Sequence, residues 1–439
     1  MDDDLMTRHH DGPVDASAAA ALAAQGLELR LVRNARPELD GWIGAVRRGF
    51  LDPEPTEAQL DAATARNGYR RMIGVYDPAG PMPEVPVGTF ASWATDLTVP
   101  GERTTPMVAI SAVTVAPTHQ GRGIARAMME GELRHAAALG IPMAGLTASE
   151  STIYGRYGFG PAVAATTWRI DTKRARWEGP TAPGRVDHVS RETARALLPR
   201  LHDEVRLRRP GEIPIPGSHW DRFTELHPDA DKPGRVRATQ YADPAGRVRG
   251  MVLYTVTENE DDFTKSSVRV SHLVAVDAEA YAALWRHLVE LPLIGTVTAS
   301  ELSVDEPLLW MLSDQRAAEI TVSDHHYVRV LDVPVALQAR GYDTAGAVVL
   351  EVSDPLGHSS GRWLLEAGAD GSGRVRADGG PDARDIPVLR LGTAALSTAY
   401  LGGVSVSTLA AAGRVESTDA AAAAAVLGHR AVPQLSFWY

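Results

Sequence analysis

The chain has 439 residues, of which 44% are hydrophobic, and a formal net charge of −11. This length exceeds one compact core and predicts about two to four domains of roughly 100–200 residues each. The absence of cysteine excludes disulfides, thiolate metal sites and a cysteine nucleophile, and the negative charge argues against a nucleic-acid-binding surface. No apolar run reaches the roughly 20 residues of a membrane span, and no export signal opens the chain, so we expect a cytoplasmic protein without membrane or nucleic-acid partners.

The N-terminal third predicts a tail followed by an ordered domain. Residues 1–26 are acidic and then alanine-rich, with no amphipathic pattern, and we expect a flexible tail. Alternating residues 27–32 predict a strand, and a helix through 42–48 follows. After a proline-rich break come a second helix and strands near 72–76 and 87–93.

The next segment predicts a junction of strand, loop and helix that binds an anion. Residues 109–115 have the β-branched content of a buried strand, and residues 124–139 have the composition of a helix that stops before Gly140. Between them, Gly121 and Gly123 let the backbone approach a ligand, while the unpaired N–H groups of the helix start attract a phosphate. Neither the phosphate-binding loop of nucleotide hydrolases nor the dinucleotide fingerprint is present. The remaining alternative is a glycine-rich turn without a ligand.

A short buried strand over residues 143–149 follows, and residues 150–161 predict a helical turn and an irregular strand. Tyr154 would lie at the mouth of these strands, where a phenol can donate a proton. We expect the rings of Tyr157 and Phe159 in the core.

The middle of the chain predicts a second copy of this arrangement. Composition breaks at residues 179–184, and strands at 248–257 and 268–276 lead into a helix at 278–288 and a strand at 295–299. No glycine loop stands before this helix. We therefore expect a degenerate copy that does not bind the cofactor.

The last segment predicts an α+β layout in which short strands precede helices. Strands are expected near residues 328–334, 347–357, 361–366 and 374–377, and helices at 392–400 and 420–427. This layout looks like a sterol-carrier fold. It would hold an apolar ligand or have a structural role.

Specific motifs resemble one enzyme family. The sequence from Gln120 through Gly123 to Ala125, preceded by Val-x-Pro, resembles the acyl-CoA pyrophosphate loop of GNAT N-acetyltransferases. Ala-Ser-Glu before Ile-Tyr-Gly-Arg-Tyr-Gly, the segment Arg-Arg-Pro-Gly-Glu and an aromatic last residue extend the similarity to the Eis (enhanced intracellular survival) family, whose members acetylate several amines of aminoglycosides.

The resemblance implies an α+β protein of tandem GNAT folds, the first active and the second degenerate, followed by a sterol-carrier-like domain. We place the active domain at residues 27–178, the degenerate one at 179–327 and the last domain at 328–439. Family analogy also implies a homohexamer with acetyl-CoA as the acetyl donor, a cationic amine small molecule as the acceptor and no metal.

Site residues follow from the chemistry and from the resemblance together. Backbone groups of residues 113–115 would hold the pantetheine arm, with the Val113 N–H as oxyanion donor. The resemblance makes Tyr154 the general acid and the α-carboxylate of Tyr439 the base. The acetyl-CoA-binding residues would be Val113, Thr114, Val115, Gln120, Gly121, Arg122, Gly123, Ile124, Ala125 and Ser149.

Acceptor binding is assigned to Phe50 and Asp52. Ala112 and Thr147 stand where the family can carry a larger aromatic residue and a histidine, which leaves the range of acceptors open. The sequence thus predicts an N-acetyltransferase for multiamine small molecules such as aminoglycosides. The alternatives are acetylation of protein lysines or other amines, and a non-catalytic regulator that binds acetyl-CoA or a lipid. A tyrosine and an apolar C-terminus favour catalysis, since a sensor needs no acid and base.

Overall fold

The computed structural model describes residues 2–227, 230, 234–377 and 386–439. By contacts the chain divides into two compact units. The first contains Met1–Ala162, His326–Ala431 and Tyr439, and the second contains Val163–His325 and Val432–Trp438. The domain boundaries given above stay predictions.

The helices are α1 (Asp3–Asp11), α2 (Ala16–Ala23), α3 (Glu38–Gly49), α4 (Glu57–Asn67), α5 (Ile124–Ala138), α6 (Ser151–Tyr154), α7 (Arg191–Arg206), α8 (Gly217–Phe223), α9 (Ala278–Val289), α10 (Val333–Ala339), α11 (Thr393–Ala399), α12 (Val406–Ala411) and α13 (Ala420–Leu427). The strands are β1 (Glu28–Leu31), β2 (Arg71–Tyr76), β3 (Gly88–Val99), β4 (Arg103–Val115), β5 (Met143–Thr147), β6 (Gly160–Asp171), β7 (Arg185–Val189), β8 (Arg237–Ala242), β9 (Val248–Thr257), β10 (Ser266–Ala275), β11 (Ile294–Leu302), β12 (Ala318–Val330), β13 (Gly346–Ser353), β14 (Gly361–Ala367), β15 (Gly373–Ala377), β16 (Val388–Gly392) and β17 (Val415–Ser417).

In the first unit, β1 to β5 pair in chain order, and the end of β12 pairs with β5. β4 and β5 are parallel, a pairing that needs a crossover connection, and α5 provides it. Helices α2 and α5 contribute to an apolar core that includes Ile124, Met128 and Leu133. A separate cluster that includes Leu39 and Trp42 packs α3 against the sheet.

Residues 3–23 form two packed helices, which corrects the expectation of a flexible tail. The Asp2 and Asp15 side chains cap α1 and α2, and Ala18 and Leu22 are buried. The buried Arg71 guanidinium donates hydrogen bonds to main-chain carbonyls of this segment, including that of Pro13 at 2.9 Å. Arg71 belongs to β2, so no pattern within residues 1–26 predicts these hydrogen bonds.

The second unit repeats the arrangement of strand, helix and strand. Its strands lie in the order β6, β11, β10, β9, β8, β7. β10 and β11 are parallel and α9 connects them. The fully buried Trp285 anchors α9 in the core of this unit.

The last part of the first unit is a five-stranded sheet in the order β15, β14, β13, β16, β17. β13 and β16 are parallel, and the other pairs are antiparallel. The observed β9 and α13 have the predicted bounds. The sequence did not predict the helices α7, α8, α10 and α12 or the strands β7, β8, β16 and β17. None of the helices in the described residues is long and apolar enough to cross a bilayer.

Candidate active site

The predicted junction of strand, loop and helix lines a cleft of about 690 Å³ in the first unit. Nine of the predicted donor-site and catalytic residues, together with Phe50, lie in its wall: Val113, Thr114, Val115, Gln120, Gly121, Gly123, Ala125, Ser149 and Tyr154.

A β-bulge in β4 shapes the inner end of the cleft. Ser111 pairs with Ala91 and Thr114 pairs with Thr89, so Ala112 and Val113 together oppose a single residue of β3. Ala112 has a φ of 52°, a left-handed conformation that is uncommon for a residue with a side chain. The buried Thr89 hydroxyl donates to the Ala112 carbonyl at 2.9 Å and lies 2.7 Å from Thr114 Oγ1. The Thr89 side chain therefore holds the bulge in place.

The strands β4 and β5 stop pairing where the bulge begins. Their parallel register runs from Met107 to Ile110 on β4, and Ile110 pairs with Leu146. Beyond this point Val113, Thr114 and Val115 contribute to the cleft wall. Backbone hydrogen-bonding groups in this gap can serve an extended ligand arm in place of a neighbouring strand.

The loop before α5 leaves a helix N-terminus open to the cleft. Gly121 and Gly123 have φ values of 76° and 74°, and Gly123 caps α5 without a side-chain hydrogen bond. No heavy atom would lie within 4 Å of a Cβ at either glycine. Arg126 and Arg156 also line the cleft and add positive charge. Open N–H groups, space and two guanidinium groups fit the pyrophosphate and phosphate of acetyl-CoA.

His119 is held by its neighbours within the loop. Its Nε2 lies 3.1 Å from Asp77 Oδ2, and its Nδ1 lies 2.8 Å from Thr118 Oγ1. The hydrogen bond with His119 lowers the pKa of Asp77. These contacts give His119 a structural part in the loop.

Tyr154 ends α6 with its side chain almost entirely buried. The ring packs 6.2 Å from that of Phe159 and 6.4 Å from that of Tyr327, measured between centroids. Burial raises the pKa of the Tyr154 phenol, and a hydrogen bond with Ser149 acts in the opposite direction without cancelling the effect of burial. The phenol therefore keeps its proton at neutral pH. Phe159 and Tyr157 are buried as expected, and Tyr157 also lines the cleft.

Tyr439 is buried beside the end of β5. Thr147 Oγ1 donates a hydrogen bond to its main-chain carboxyl oxygen at 2.6 Å. Its phenol oxygen lies 2.8 Å from His326 Nε2, and its ring meets Trp93 edge to face. Tyr439 is not part of the cleft wall, but Ser149, two residues beyond Thr147, is.

Besides Tyr439, three predicted residues lie outside the cleft wall. The Arg122 guanidinium donates to the Gln25 carbonyl at 3.0 Å, and Ile124 points into the core. Asp52 is exposed next to the lining residues Phe50 and Leu51. The spacing of residues in the loop does not distinguish a ligand contact from an apolar core position such as Ile124 or from an arginine that binds the main chain, as Arg122 does.

Sequence reasoning missed several residues that contribute to the site. Arg126 and Met129 follow Gly123 at helical spacing, a signal that could have identified them. His326 was missed, and Thr147 was named only as a position that varies in the family; no local pattern marks the contact of either residue with Tyr439. The further lining residues that were not predicted are Gly49, Leu51, Glu150, Ile153 and Arg156.

In the second repeat the helix N-terminus is capped by a side chain, whereas the corresponding helix N-terminus in the first repeat has no side-chain cap. Only Val276 and Asp277 separate β10 from α9. The Asp277 carboxylate caps α9 by accepting a hydrogen bond from the Ala280 N–H. Arg249 forms an ion pair with the same carboxylate at 3.0 Å. The Asp277 carboxylate thus occupies the helix start that a phosphate would need. This geometry supports the prediction that the second copy does not bind the cofactor.

No group of three His, Cys, Asp or Glu residues suited to a metal ion occurs in the described ranges. The absence of a metal from the chemistry stays a prediction.

Three family models match the chain in succession. Residues 31–162 match a GNAT acetyltransferase domain, residues 215–330 match a second GNAT acetyltransferase domain, and residues 333–435 match a sterol carrier protein domain. The predicted fold class of two GNAT domains and a sterol-carrier-like domain is confirmed.

Curated relatives match over most of their length. An uncharacterized N-acetyltransferase of Streptomyces avermitilis is 36% identical over 402 residues, which cover 89% of this chain and 93% of the relative. The N-acetyltransferase Eis of Mycobacterium tuberculosis is 36% identical over 401 residues, which cover 87% of this chain and 92% of that protein.

Solved structures are similar over nearly the whole chain. Eis1 from Mycobacterium abscessus has a TM-score of 0.79 at 27% identity, and the match covers 94% of this chain and all of that one. A GCN5-related N-acetyltransferase from Anabaena variabilis has a TM-score of 0.78 at 19% identity, with 94% and 100% covered, which shows the shared fold.

Proposed function

The chain belongs to the Eis family of N-acetyltransferases, and from this premise we propose that it acetylates multiamine small molecules such as aminoglycosides. An acyltransferase of this family uses an amine acceptor. The proposed acceptor class and the proposed residue roles depend on one observation. A single cleft joins an open helix N-terminus to a buried phenol that keeps its proton.

On the donor side, acetyl-CoA supplies an activated thioester carbonyl and a thiolate that can leave. The N–H groups around Gly121 and Gly123 would bind the pyrophosphate. The Val113 N–H would donate to the thioester carbonyl oxygen, since the bulge takes this residue out of the regular register with β3. Thr89 would support this donor through its hydrogen bond to Ala112.

Proton transfer would use two groups. Tyr154 would donate its proton to the departing thiolate, since burial raises the pKa of its phenol and keeps the hydroxyl protonated at neutral pH. The Tyr439 carboxylate would accept the amine proton directly or through water. An α-carboxyl group has a pKa of about 3.3–3.7 and is a weak base, so its larger contribution would be to anchor the ammonium form of the acceptor.

The proposed cationic acceptor is supported by charge and shape at the cleft. Glu150 contributes a carboxylate to the wall, and Phe50 contributes a half-exposed ring. Asp52 would add a second carboxylate at the rim. An aromatic face and nearby carboxylates suit an ammonium group.

The homohexamer remains a proposal from family analogy, and the cytoplasmic location remains a proposal from the sequence. Sedimentation velocity on the purified full chain tests the oligomeric state.

The decisive assay follows thiol release from acetyl-CoA with aminoglycosides, simple amines and a lysine peptide. We expect turnover with aminoglycosides and about a 100-fold lower kcat for Tyr154→Phe, in line with loss of a general acid. A chain extended by one glycine after Tyr439 should also lose activity. Tyr342→Phe is the matched control, since it removes a buried phenol that donates to the Leu337 carbonyl away from the cleft.

Each other outcome points elsewhere. Equal rates in wild type, Tyr154→Phe and the extended chain contradict the mechanism. Turnover of the lysine peptide alone favours protein acetylation. Absence of turnover with any amine, together with tight lipid binding, favours the non-catalytic regulator.

A further inference from the structure

Tyr439 is held at both of its polar ends by two residues on adjacent strands. Thr147 on β5 and His326 on β12 are direct cross-strand partners, so their side chains lie next to each other on one face of the sheet. Thr147 Oγ1 donates to the carboxyl oxygen at 2.6 Å, and His326 Nε2 lies 2.8 Å from the phenol oxygen. One residue thus has its ring end and its carboxyl end fixed by a single strand pair.

Both contacts are in the protein interior. His326 is fully buried, and Thr147 and Tyr439 are only 8% and 6% exposed. Burial raises the pKa of the Tyr439 phenol well above its ordinary value, so the hydroxyl stays neutral. A buried hydroxyl that loses its partner costs about 1–3 kcal/mol, which makes the hydrogen bond to His326 a strong constraint on where the ring lies.

Packing leaves the pair little freedom. Gly145 lies on the same face of β5 as Thr147, and a Cβ there would lie 2.8 Å from His326 Nε2 and 2.6 Å from Met107 Sδ. The missing side chain of Gly145 is therefore what gives the imidazole its space. On another side, the Trp93 ring meets the Tyr439 ring edge to face, with centroids 5.2 Å apart.

We propose that His326 is a positioning residue for acetyl transfer, because it holds the Tyr439 phenol and thereby fixes the carboxylate beside Thr147. The phenol acts only as an anchor in this arrangement, and the carboxylate at the other end of the residue meets the acceptor. This inference rests on the proposed role of the Tyr439 carboxylate, and it adds a requirement for the Tyr439 hydroxyl that a terminal phenylalanine would not meet.

The test uses full-length variants that remove each partner. Tyr439→Phe keeps the ring and the carboxylate and loses only the hydroxyl. His326→Leu removes the other partner, the double variant removes both, and His326→Gln restores a group that can hydrogen-bond. Tyr342→Phe again serves as the control for loss of a buried phenol. Steady-state kinetics give kcat and the KM for acetyl-CoA, and carboxypeptidase A reports how fast residue 439 is released.

We expect each single variant to lower kcat about tenfold, the equivalent of one lost hydrogen bond, with the KM for acetyl-CoA within about twofold of wild type. The double variant should match the single ones, and His326→Gln should recover most of kcat. Carboxypeptidase A should release residue 439 faster from Tyr439→Phe and His326→Leu than from wild type, while Tyr342→Phe behaves as wild type in both assays.

The inference is overturned if Tyr439→Phe keeps the wild-type kcat. It is also overturned if the losses of kcat add up in the double variant, or if the variants change only the KM for acetyl-CoA. The extended chain separates this failure from that of the proposed function. If the extension abolishes turnover while Tyr439→Phe is fully active, the carboxylate role stands and the positioning role falls. If the extension has no effect on turnover, both fall. Should His326→Leu fail to fold, Tyr439→Phe still decides the matter, because it changes no residue of a strand.

Discussion

At the scale of single residues, burial sets the chemistry of Tyr154. Removal of the phenol from water penalises the phenolate, and the hydrogen bond with Ser149 only partly offsets that penalty. The acid form is the one that a departing thiolate requires. The Tyr154 hydroxyl therefore keeps its proton at neutral pH, as the proposed role of a proton donor requires.

This raised pKa predicts the shape of the pH profile. The Tyr154 phenol loses its proton only as pH rises through its folded pKa, which lies above the usual value of about 10. For an acceptor amine of low pKa, kcat should rise with pH and then stay level up to about pH 9.5. The measurement is kcat for thiol release against pH. A descending limb with a midpoint below about pH 9, present in wild type and absent from Tyr154→Phe, would contradict this assignment.

The hydrogen bond from Thr89 to the bulge in β4 leads to a second prediction at the residue scale. Thr89→Val removes the hydroxyl that binds the Ala112 carbonyl, so we expect the free energy of unfolding to fall by about 1–2 kcal/mol and kcat to fall as the bulge loosens. Urea unfolding and thiol-release kinetics measure the two effects. Thr98→Val on the same strand is the matched control, since the Thr98 hydroxyl is equally buried and has no hydrogen-bond partner within the described residues. Equal losses in both variants would show that the bulge has no special dependence on Thr89.

At the scale of elements, α5 has a glycine at each end, and the two glycines share one backbone conformation but differ in whether they line the cleft. Gly123 precedes the helix and Gly140 follows it, and both have a φ of 74° with open space where a Cβ would stand. Only Gly123 lines the cleft. Backbone strain and ligand contact can therefore be separated on one helix.

Alanine at each position tests this separation. Gly123→Ala and Gly140→Ala should each lose about 1–2 kcal/mol of stability, because an L-residue is strained at this φ. Only Gly123→Ala should raise the KM for acetyl-CoA, by about tenfold, since a methyl group would meet the bound pyrophosphate. Urea unfolding and steady-state kinetics give the two quantities. Equal KM values in the two variants would argue that this loop does not contact the donor.

At the scale of the whole first unit, a buried ion pair ties its last segment to the loop after Tyr154. Arg329 and Asp354 are fully buried and 2.9 Å apart. The Arg329 guanidinium lies so close to Gly158 that a side chain there would overlap it. Ser397 donates to the Gly158 carbonyl at 3.2 Å. The sterol-carrier-like segment thus supports the loop that follows Tyr154, the proposed general acid.

Asp354→Asn should destabilise the protein by about 3 kcal/mol at pH 7, because it leaves the Arg329 charge buried without a counter-ion. Burial tends to raise the pKa of Asp354, but Arg329 and main-chain N–H groups outweigh it and hold the pKa below its usual value. The stabilisation is therefore present above the unfolded pKa of about 3.9 and is lost as pH falls through the folded pKa. Urea unfolding between pH 3 and 7 should show the gap between variant and wild type narrowing below about pH 4.

Glu351→Gln is the control for this variant. Glu351 pairs with Arg362 and Arg390 at partly exposed positions, so its loss should cost less than about 1 kcal/mol at every pH. A difference between Asp354→Asn and wild type that stays constant down to pH 3 would contradict the assignment of the acid-sensitive stability to Asp354.

Local patterns in the sequence predicted many of the observed elements and the loop that lines the cleft before α5. Gly121 and Gly123 indicated a loop with left-handed residues, and the helix begins at Ile124 as expected. Such features depend on interactions within a few residues, so a pattern in the chain is enough to reveal them. The same patterns missed the two N-terminal helices, whose stability depends on Arg71, far along the chain.

The sequence by itself determined the strand and helix on either side of the glycine loop, the loop itself and the family to which the chain belongs. Only the tertiary structure decided which buried groups meet. Thr147 and Tyr439 are 292 positions apart, and His326 reaches Tyr439 because β12 pairs with β5. Contacts of this kind depend on strand pairing and on the exclusion of water from a core, and no local spacing of residue types encodes them.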